Sequence, residues 1–222
     1  YNFIMSSRTK RIILNITSAI LTVLIIVVSF FALINIMFNI IFIRTNVRGY
    51  SMYPTLNYNV PTSQTEGDVV YINKFSSYTN DDIVVAQVDW WDSGYIIKRL
   101  IGLPNDTIQI KDEGTHYALY VNEKILYTKE KNADTDSYYN NLYLTFFDRF
   151  PENTTTNESG EQCIKLNDNE YLLMGDNWGN STDCLTGGPA KKSNIVGRVD
   201  IIIHYGENQF RTLVKEMWNL LF

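Results

Sequence analysis

The chain has 222 residues, enough for one ordinary domain plus an anchor, and a formal net charge of -5 with no basic stripe, which excludes a nucleic-acid partner. Only two histidines accompany fifteen tyrosines, leaving little material for a His-based metal site or a Ser-His-Asp arrangement. The two cysteines, Cys163 and Cys184, are too far apart for a zinc knuckle; in an oxidising compartment they can pair, and elsewhere they are free thiols.

From Ile12 to Ile43 the chain is Ile, Leu, Val and Phe with scattered Asn, Ser and Thr and no formal charge. About 20 such residues already cross a bilayer, so the segment reads as an uncleaved transmembrane anchor, too long for the apolar part of a removable signal. Arg8, Lys10 and Arg11 precede it and Arg44 and Arg48 follow. That small excess favours residues 1–11 as a cytoplasmic tail and residues 44–222 as a domain on the outer face of the cell membrane.

Just after the anchor, Arg48-Gly49-Tyr50-Ser51-Met52-Tyr53-Pro54-Thr55-Leu56 sets one serine between a glycine and a proline. Gly49 permits backbone angles closed to other residues and Pro54 stiffens the turn. A serine held this way suits nucleophilic attack, because its Oγ and its N–H must face the same carbonyl. About eight residues separate it from the anchor, at most about 25–30 Å of extended chain, which keeps it near the bilayer surface.

Short β-branched runs follow at Asp68–Ile72, Asp82–Ala86, Tyr95–Ile101, Thr107–Ile110, Ala118–Val121, Tyr171–Met174 and Val199–His204. Punctuated by Gly and Asx residues, they predict an all-β antiparallel domain. Residues from about 129 to 161 are polar and read as an extended loop or insertion. Phe210, Leu213, Val214, Met217, Trp218 and Leu221 recur at helical spacing, predicting a short C-terminal amphipathic helix that packs on the domain or lies in the membrane interface.

Two further stretches carry chemistry. Lys98 and Arg99 are adjacent in an apolar strand, so one of them faces inward unless both reach solvent from an edge. If Lys98 does, it shares a face with Ile96 and Leu100, and burial would lower its pKa and make it a general base; an arginine cannot serve so. Gly175-Asp176-Asn177-Trp178-Gly179-Asn180-Ser181-Thr182-Asp183 follows a strand and reads as a tight loop that satisfies its own backbone.

Behind an anchor and in this order, Ser51-Met52-Tyr53-Pro54-Thr55-Leu56, Gly67-Asp68-Val69-Val70, Lys98-Arg99-Leu100-Ile101-Gly102-Leu103-Pro104-Asn105-Asp106 and Gly175-Asp176-Asn177 through Asp183 resemble the type I signal peptidases, membrane-bound Ser-Lys proteases. The resemblance runs from about Gly49 to Val199 and leaves the insertion unmatched. It implies Ser51 as nucleophile, Lys98 as general base, Ser181 as the serine that orients the lysine, and Asp183 and Asp176 as supporting carboxylates. It also implies signal peptides of exported preproteins as substrates, the bilayer and the neighbourhood of the secretion translocon as surroundings, small residues before the cut, and neither cofactor nor metal. Val47, Met52, Leu56, Ile96 and Ile97 would then wall the substrate pocket. Gly49 stands where some members place a second oxyanion-stabilising serine, as in the form common in Gram-positive bacteria.

The chain departs from the family pattern twice. Trp178 stands where an arginine usually follows Gly-Asp-Asn, and Asp183-Cys184-Leu185 replaces the usual Asp-Ser-Arg. Both changes remove a cation beside a supporting carboxylate, and a Cys163–Cys184 bridge would be a substitute brace. The losses also leave open an idle, signal-peptidase-like assembly or chaperone factor, against which the presence of both Ser51 and Lys98 argues. A self-cleaving Ser-Lys repressor lacks support in a chain with an anchor and no DNA-reading segment, and a plain tethered binding domain does not need the motifs.

Overall fold

The computed structural model describes residues 7–61, 67–92 and 94–221. It divides into two units, residues 1–42 and 43–222, each described by itself. In the first, α1 (Ser7–Ile41) is one unbroken helix with no buried residue. At 1.5 Å per residue its length is about 52 Å, well beyond the roughly 30 Å of a hydrocarbon core. It begins before the expected anchor and ends two residues short of it; the first six residues of the expected tail lie outside the described residues. Three of its polar side chains are satisfied locally: Thr17 and Thr22 donate to carbonyls four residues back at 2.7 and 2.9 Å, and Asn39 donates to the Asn35 carbonyl at 2.8 Å. Such back-bonding lets polar residues face an apolar medium.

The second unit holds the strands β1 (Phe42–Asn46), β2 (Val69–Asn73), β3 (Ile83–Ala86), β4 (Ile96–Gly102), β5 (Thr107–Asp112), β6 (His116–Val121) and β7 (Lys124–Glu130). Helices α2 (Ala133–Tyr138) and α3 (Leu144–Arg149) follow, then β8 (Thr154–Thr156), β9 (Gln162–Lys165), β10 (Glu170–Met174), α4 (Cys184–Gly187), β11 (Ala190–Lys191), β12 (Ile195–Ile203) and α5 (Gln209–Leu221). One sheet has the order β1-β2-β12-β3-β4-β10-β11 and the other β7-β6-β5-β9-β8. Pairing is antiparallel from β2 to β11 and throughout the second sheet. The expected antiparallel β domain is therefore present.

The main core is built from β3, β4, β5, β6, β9 and β10, with Val84, Leu100, Ile108, Leu119, Ile164 and Leu172 all inaccessible to solvent. A smaller core joins Val47, Met52, Leu56, Val70, Ile72 and Val85 beneath the serine turn. The polar insertion is not the extended loop its composition suggests. The Asn132 side chain caps α2 by accepting the Asp134 and Thr135 N–H groups, and its own N–H donates in return to Thr135 Oγ1. A wide turn then carries the chain into α3, burying Tyr138, Tyr143, Phe146 and Phe147. In the same segment Tyr139, Tyr143, Phe146 or Phe147, and Phe150 recur every three or four residues, the spacing that puts side chains on one helix face.

On α5 the predicted helix forms, but Phe210 and Val214 are 78 % and 51 % exposed, so its apolar face is not consumed by packing on the domain. The two thiols are free and buried rather than bridged. Cys163 lies on β9 against the Glu161 carbonyl, and Cys184 opens α4 against the Tyr171 carbonyl. No bridge braces the 175–185 loop.

Candidate active site

Lys98 occupies β4, a strand with neighbours on both sides: β3 (Val84 opposite Lys98) and β10 (Met174 opposite Arg99). Escape of both cations to solvent from an edge is therefore ruled out. The alternation places Ile96, Lys98 and Leu100 on the buried face, with Lys98 only 4 % exposed, and turns Arg99 the other way. Burial lowers the Lys98 pKa from the ordinary lysine value, an effect that the charge of Asp183 opposes.

Ser51 comes to this lysine from a turn rather than a strand. Gly49 has φ +78°, in the region where a side chain is strained, as the sequence anticipated. Asn57 locks the turn from below: its Nδ2 donates to the Gly49 carbonyl at 2.8 Å, and its N–H donates to Asp68 Oδ2 at 2.9 Å. The Asp68 N–H returns a bond to Asn57 Oδ1 at 2.8 Å. From the other side, the Asn177 N–H donates to the Ser51 carbonyl at 2.9 Å and Asn177 Nδ2 to the Tyr50 carbonyl at 3.0 Å. The outcome is a 2.6 Å hydrogen bond between Lys98 Nζ and Ser51 Oγ. Among the described residues, no hydrogen bond is donated by the Ser51 N–H, which leaves it available to a ligand oxygen.

The loop after β10 is tied to both residues. Gly175 cannot carry a side chain, because a Cβ there would fall 2.6 Å from the Ser51 carbonyl oxygen and collide with Ser181 Oγ. Ser181 donates to Asp183 Oδ2 at 2.6 Å; among the described residues the bond of Lys98 is to Ser51, so Ser181 reaches the site through Asp183 and Gly175 rather than by a direct bond to the lysine. Asp183 is wholly buried and also receives the Gly175 N–H at 2.9 Å and the Leu185 N–H at 3.1 Å. Burial pushes its carboxyl above the usual range, while these bonds and Lys98 pull the other way.

The two loop carboxylates take partners from elsewhere, a cation for Asp176 and a neutral donor for Asp183. Asp176 accepts Arg99 Nε at 2.8 Å and Nη2 at 2.6 Å, a two-pronged ion pair, and the Thr55 hydroxyl at 2.5 Å. Asp183 accepts the Tyr138 hydroxyl at 2.7 Å. Trp178, in the place of the expected arginine, is 4 % exposed and stacks on Tyr138 with centroids 4.8 Å apart.

Ser51 and Lys98 open into a cleft of about 590 Å³. Val47, Ile96 and Ile97 line it as expected, joined by Val70, Val85, Trp91 and Tyr95. Met52 and Leu56, also expected in its wall, are instead 1 % exposed in the small core beneath. A larger groove of about 770 Å³ on the five-stranded sheet, around Lys111, Tyr120 and Lys165, holds none of the candidate residues. Sequence reasoning missed Asn57, Arg99 as the partner of Asp176, and Tyr138.

The family model described as signal peptidase, peptidase S26, matches residues 16–204. Signal peptidase I P of Bacillus subtilis subsp. natto is 35 % identical over 164 residues, covering 70 % of this chain and 74 % of the relative. Signal peptidase I S of Bacillus subtilis (strain 168) is 34 % identical over 179 residues, covering 78 % and 82 %. A crystal structure of a signal peptidase I from Enterococcus faecalis V583 aligns with a TM-score of 0.36 at 21 % identity, over 56 % of this chain and 97 % of that one.

Proposed function

The chain belongs to the signal peptidase family, peptidase S26, as a serine endopeptidase that removes signal peptides, and we propose that it cuts with Ser51 as nucleophile and Lys98 as general base. The observation that carries this reading is the 2.6 Å contact between Lys98 Nζ and Ser51 Oγ at a lysine 4 % exposed. Desolvation favours the neutral amine, which takes the serine proton as Oγ attacks the scissile carbonyl; the ammonium then gives that proton to the leaving amine. The unengaged Ser51 N–H is the first oxyanion donor. Supporting roles fall to Asp183, Ser181 and Asp176, which hold the loop against the serine turn.

Specificity follows from the cleft. Branched side chains from Val47, Ile96 and Ile97 line it, which favours small residues before the cut, in Ala-x-Ala fashion. The helix α1, uncharged from Ile12 to Ile41, supports a single-pass anchor with the N-terminus in the cytoplasm. The second unit then works on the outer face, beside the bilayer and the translocon from which preproteins emerge. The two-pronged Arg99–Asp176 pair and the Tyr138–Asp183 bond supply what the missing arginines would, which favours a working protease over an idle assembly factor.

The test is cleavage of a preprotein by the full chain in detergent. Wild type is expected to cut, while Ser51→Ala and Lys98→Arg are expected to be inactive, the latter because a guanidinium is no base near neutral pH. Cutting by either variant at a substantial fraction of the wild-type rate removes that residue from its role.

A further inference from the structure

Asp183 is a wholly buried carboxylate that forms no ion pair among the described residues. Its stability as an anion therefore rests chiefly on neutral donors, with the nearby Lys98 adding a smaller pull. Three of the four, Ser181 Oγ and the N–H groups of Gly175 and Leu185, belong to the same 175–185 loop as Asp183 itself. They fold the loop on itself but do not fix it in the protein. The fourth, the Tyr138 hydroxyl at 2.7 Å, comes from the insertion.

Tyr138 is placed with little freedom. It ends α2, is 2 % exposed, and lies flat against Trp178 at an interplanar angle of 20°. The helix start is held by the Asn132–Thr135 capping box, and its middle by Tyr117, whose hydroxyl donates to Asp136 at 2.7 Å. Burial and the neighbouring carboxylate push the Tyr138 phenol well above its ordinary pKa, so it remains a protonated donor.

We propose that Tyr138 is a positioning residue for the cleavage reaction: its hydroxyl fixes Asp183, and through Asp183 it fixes Ser181 and Gly175 against Ser51 and beside Lys98. The insertion that carries it is thus part of the catalytic support rather than a surface addition. This inference rests on the Ser51–Lys98 reading.

The full chain in detergent is assayed on a fluorogenic peptide with Ala-x-Ala before the cut, at a temperature where circular dichroism shows every variant folded. Tyr138→Phe keeps the ring and its stacking but removes the donor. Its kcat is expected to fall about tenfold to a hundredfold, the scale of a small misplacement, with KM within about twofold because Tyr138 does not line the cleft. Losing a donor also makes Asp183 easier to protonate, and the charge of Asp183 is the strongest one holding a proton on Lys98. The acid limb of the kcat/KM profile therefore moves to lower pH. Tyr143→Phe is the control: it lies on the same insertion, is equally buried, and donates to the Gln162 carbonyl at 3.3 Å instead. It is expected to leave kcat and the limb in place.

A Tyr138→Phe enzyme with the kcat and pH limb of Tyr143→Phe overturns the proposal, as does a lowered kcat with an unmoved limb, which marks a mere prop. Should Tyr138→Phe fail to fold, Tyr138→Phe/Asp183→Asn is expected to fold as Asp183→Asn does, since no carboxylate is left short of a donor. A double variant that still fails, where Asp183→Asn folds, overturns the proposal too. Failure of the underlying reading shows separately, as cleavage by Ser51→Ala.

Discussion

Replacing Arg99 by methionine removes one partner of the ion pair that anchors the 175–185 loop and keeps most of the side-chain length. The Asp176 and Arg99 side chains are 6 % and 15 % exposed, so the pair is largely desolvated. Breaking a buried pair from one side costs roughly 3–5 kcal/mol, mostly because the surviving charge is stranded. Here Asp176 keeps the Thr55 hydroxyl, which places the expected loss near the lower end, about 3 kcal/mol. For a protein of this size that lowers Tm by about 6–12 °C. Asp176→Asn leaves Arg99 its contacts with Asp81 at 2.8 and 3.2 Å, and is expected to cost about half as much. The neighbouring Asn177 holds the Ser51 carbonyl, so Arg99→Met is also expected to lose cleavage activity. The assay is thermal unfolding of the full chain in detergent, followed by circular dichroism, with peptide cleavage alongside. An Arg99→Met enzyme melting within about 1 °C of wild type would refute the idea that this pair anchors the loop.

Lys98 should be a stability liability at neutral pH. Its folded-state pKa lies below the unfolded one, so the unfolded chain binds more protons and stability rises with pH through the window between the two values. Lys98→Met is therefore expected to raise Tm at pH 6, with the gain shrinking toward about pH 10.5, the ordinary lysine value; a gain independent of pH would contradict this. The cysteines give a second check. Both are buried and Cys184 is pushed up to about 12 by burial. Reducing agent is expected to leave Tm unchanged, and iodoacetamide to reach both thiols only after unfolding; a mass two hydrogens short without reductant would contradict the free-thiol state.

Much of the fold was legible because its strands announce themselves. Runs such as Val69–Ile72 and Ile83–Ala86 are β-branched and buried on both faces, which leaves an unbroken apolar signature. The strand β7 was not legible, since Lys124–Glu130 is a mostly exposed edge with charges at both ends. The short β8 and β11 owe their assignment to partners rather than to their own residues. Within the site, Ser51 and Lys98 could be picked out because each sits in a local pattern that chemistry explains. Their mutual approach could not, since it depends on the register of β4 with β10 and on Asn177 reaching back 126 residues to the Ser51 carbonyl. The family resemblance puts Met52 and Leu56 in the pocket wall, because it carries over positions along the chain and not the direction in which this turn faces its side chains. The turn instead points them into the small core.

Tyr138 shows the limit most clearly. Its segment is rich in Asn, Asp and Thr, and that composition hid an aromatic spacing of three to four residues from the adjacent Tyr139 to Phe150. The sequence showed that two arginines were missing, and this raised the question of a substitute brace. A disulfide was the covalent answer available to inspection. The fold uses hydrogen bonds from distant positions instead, Arg99 for one carboxylate and Tyr138 for the other.

The most direct test of the dyad is the pH dependence of kcat/KM for a signal-peptide substrate, measured on wild type and Lys98→Arg together. Wild type is expected to gain activity with rising pH through an apparent pKa below that of an ordinary lysine, as the buried amine sheds its proton, and Lys98→Arg is expected to show no activity at any pH. Cleavage by Lys98→Arg along the same rising limb would contradict the account, because the titrating base would then be some other group.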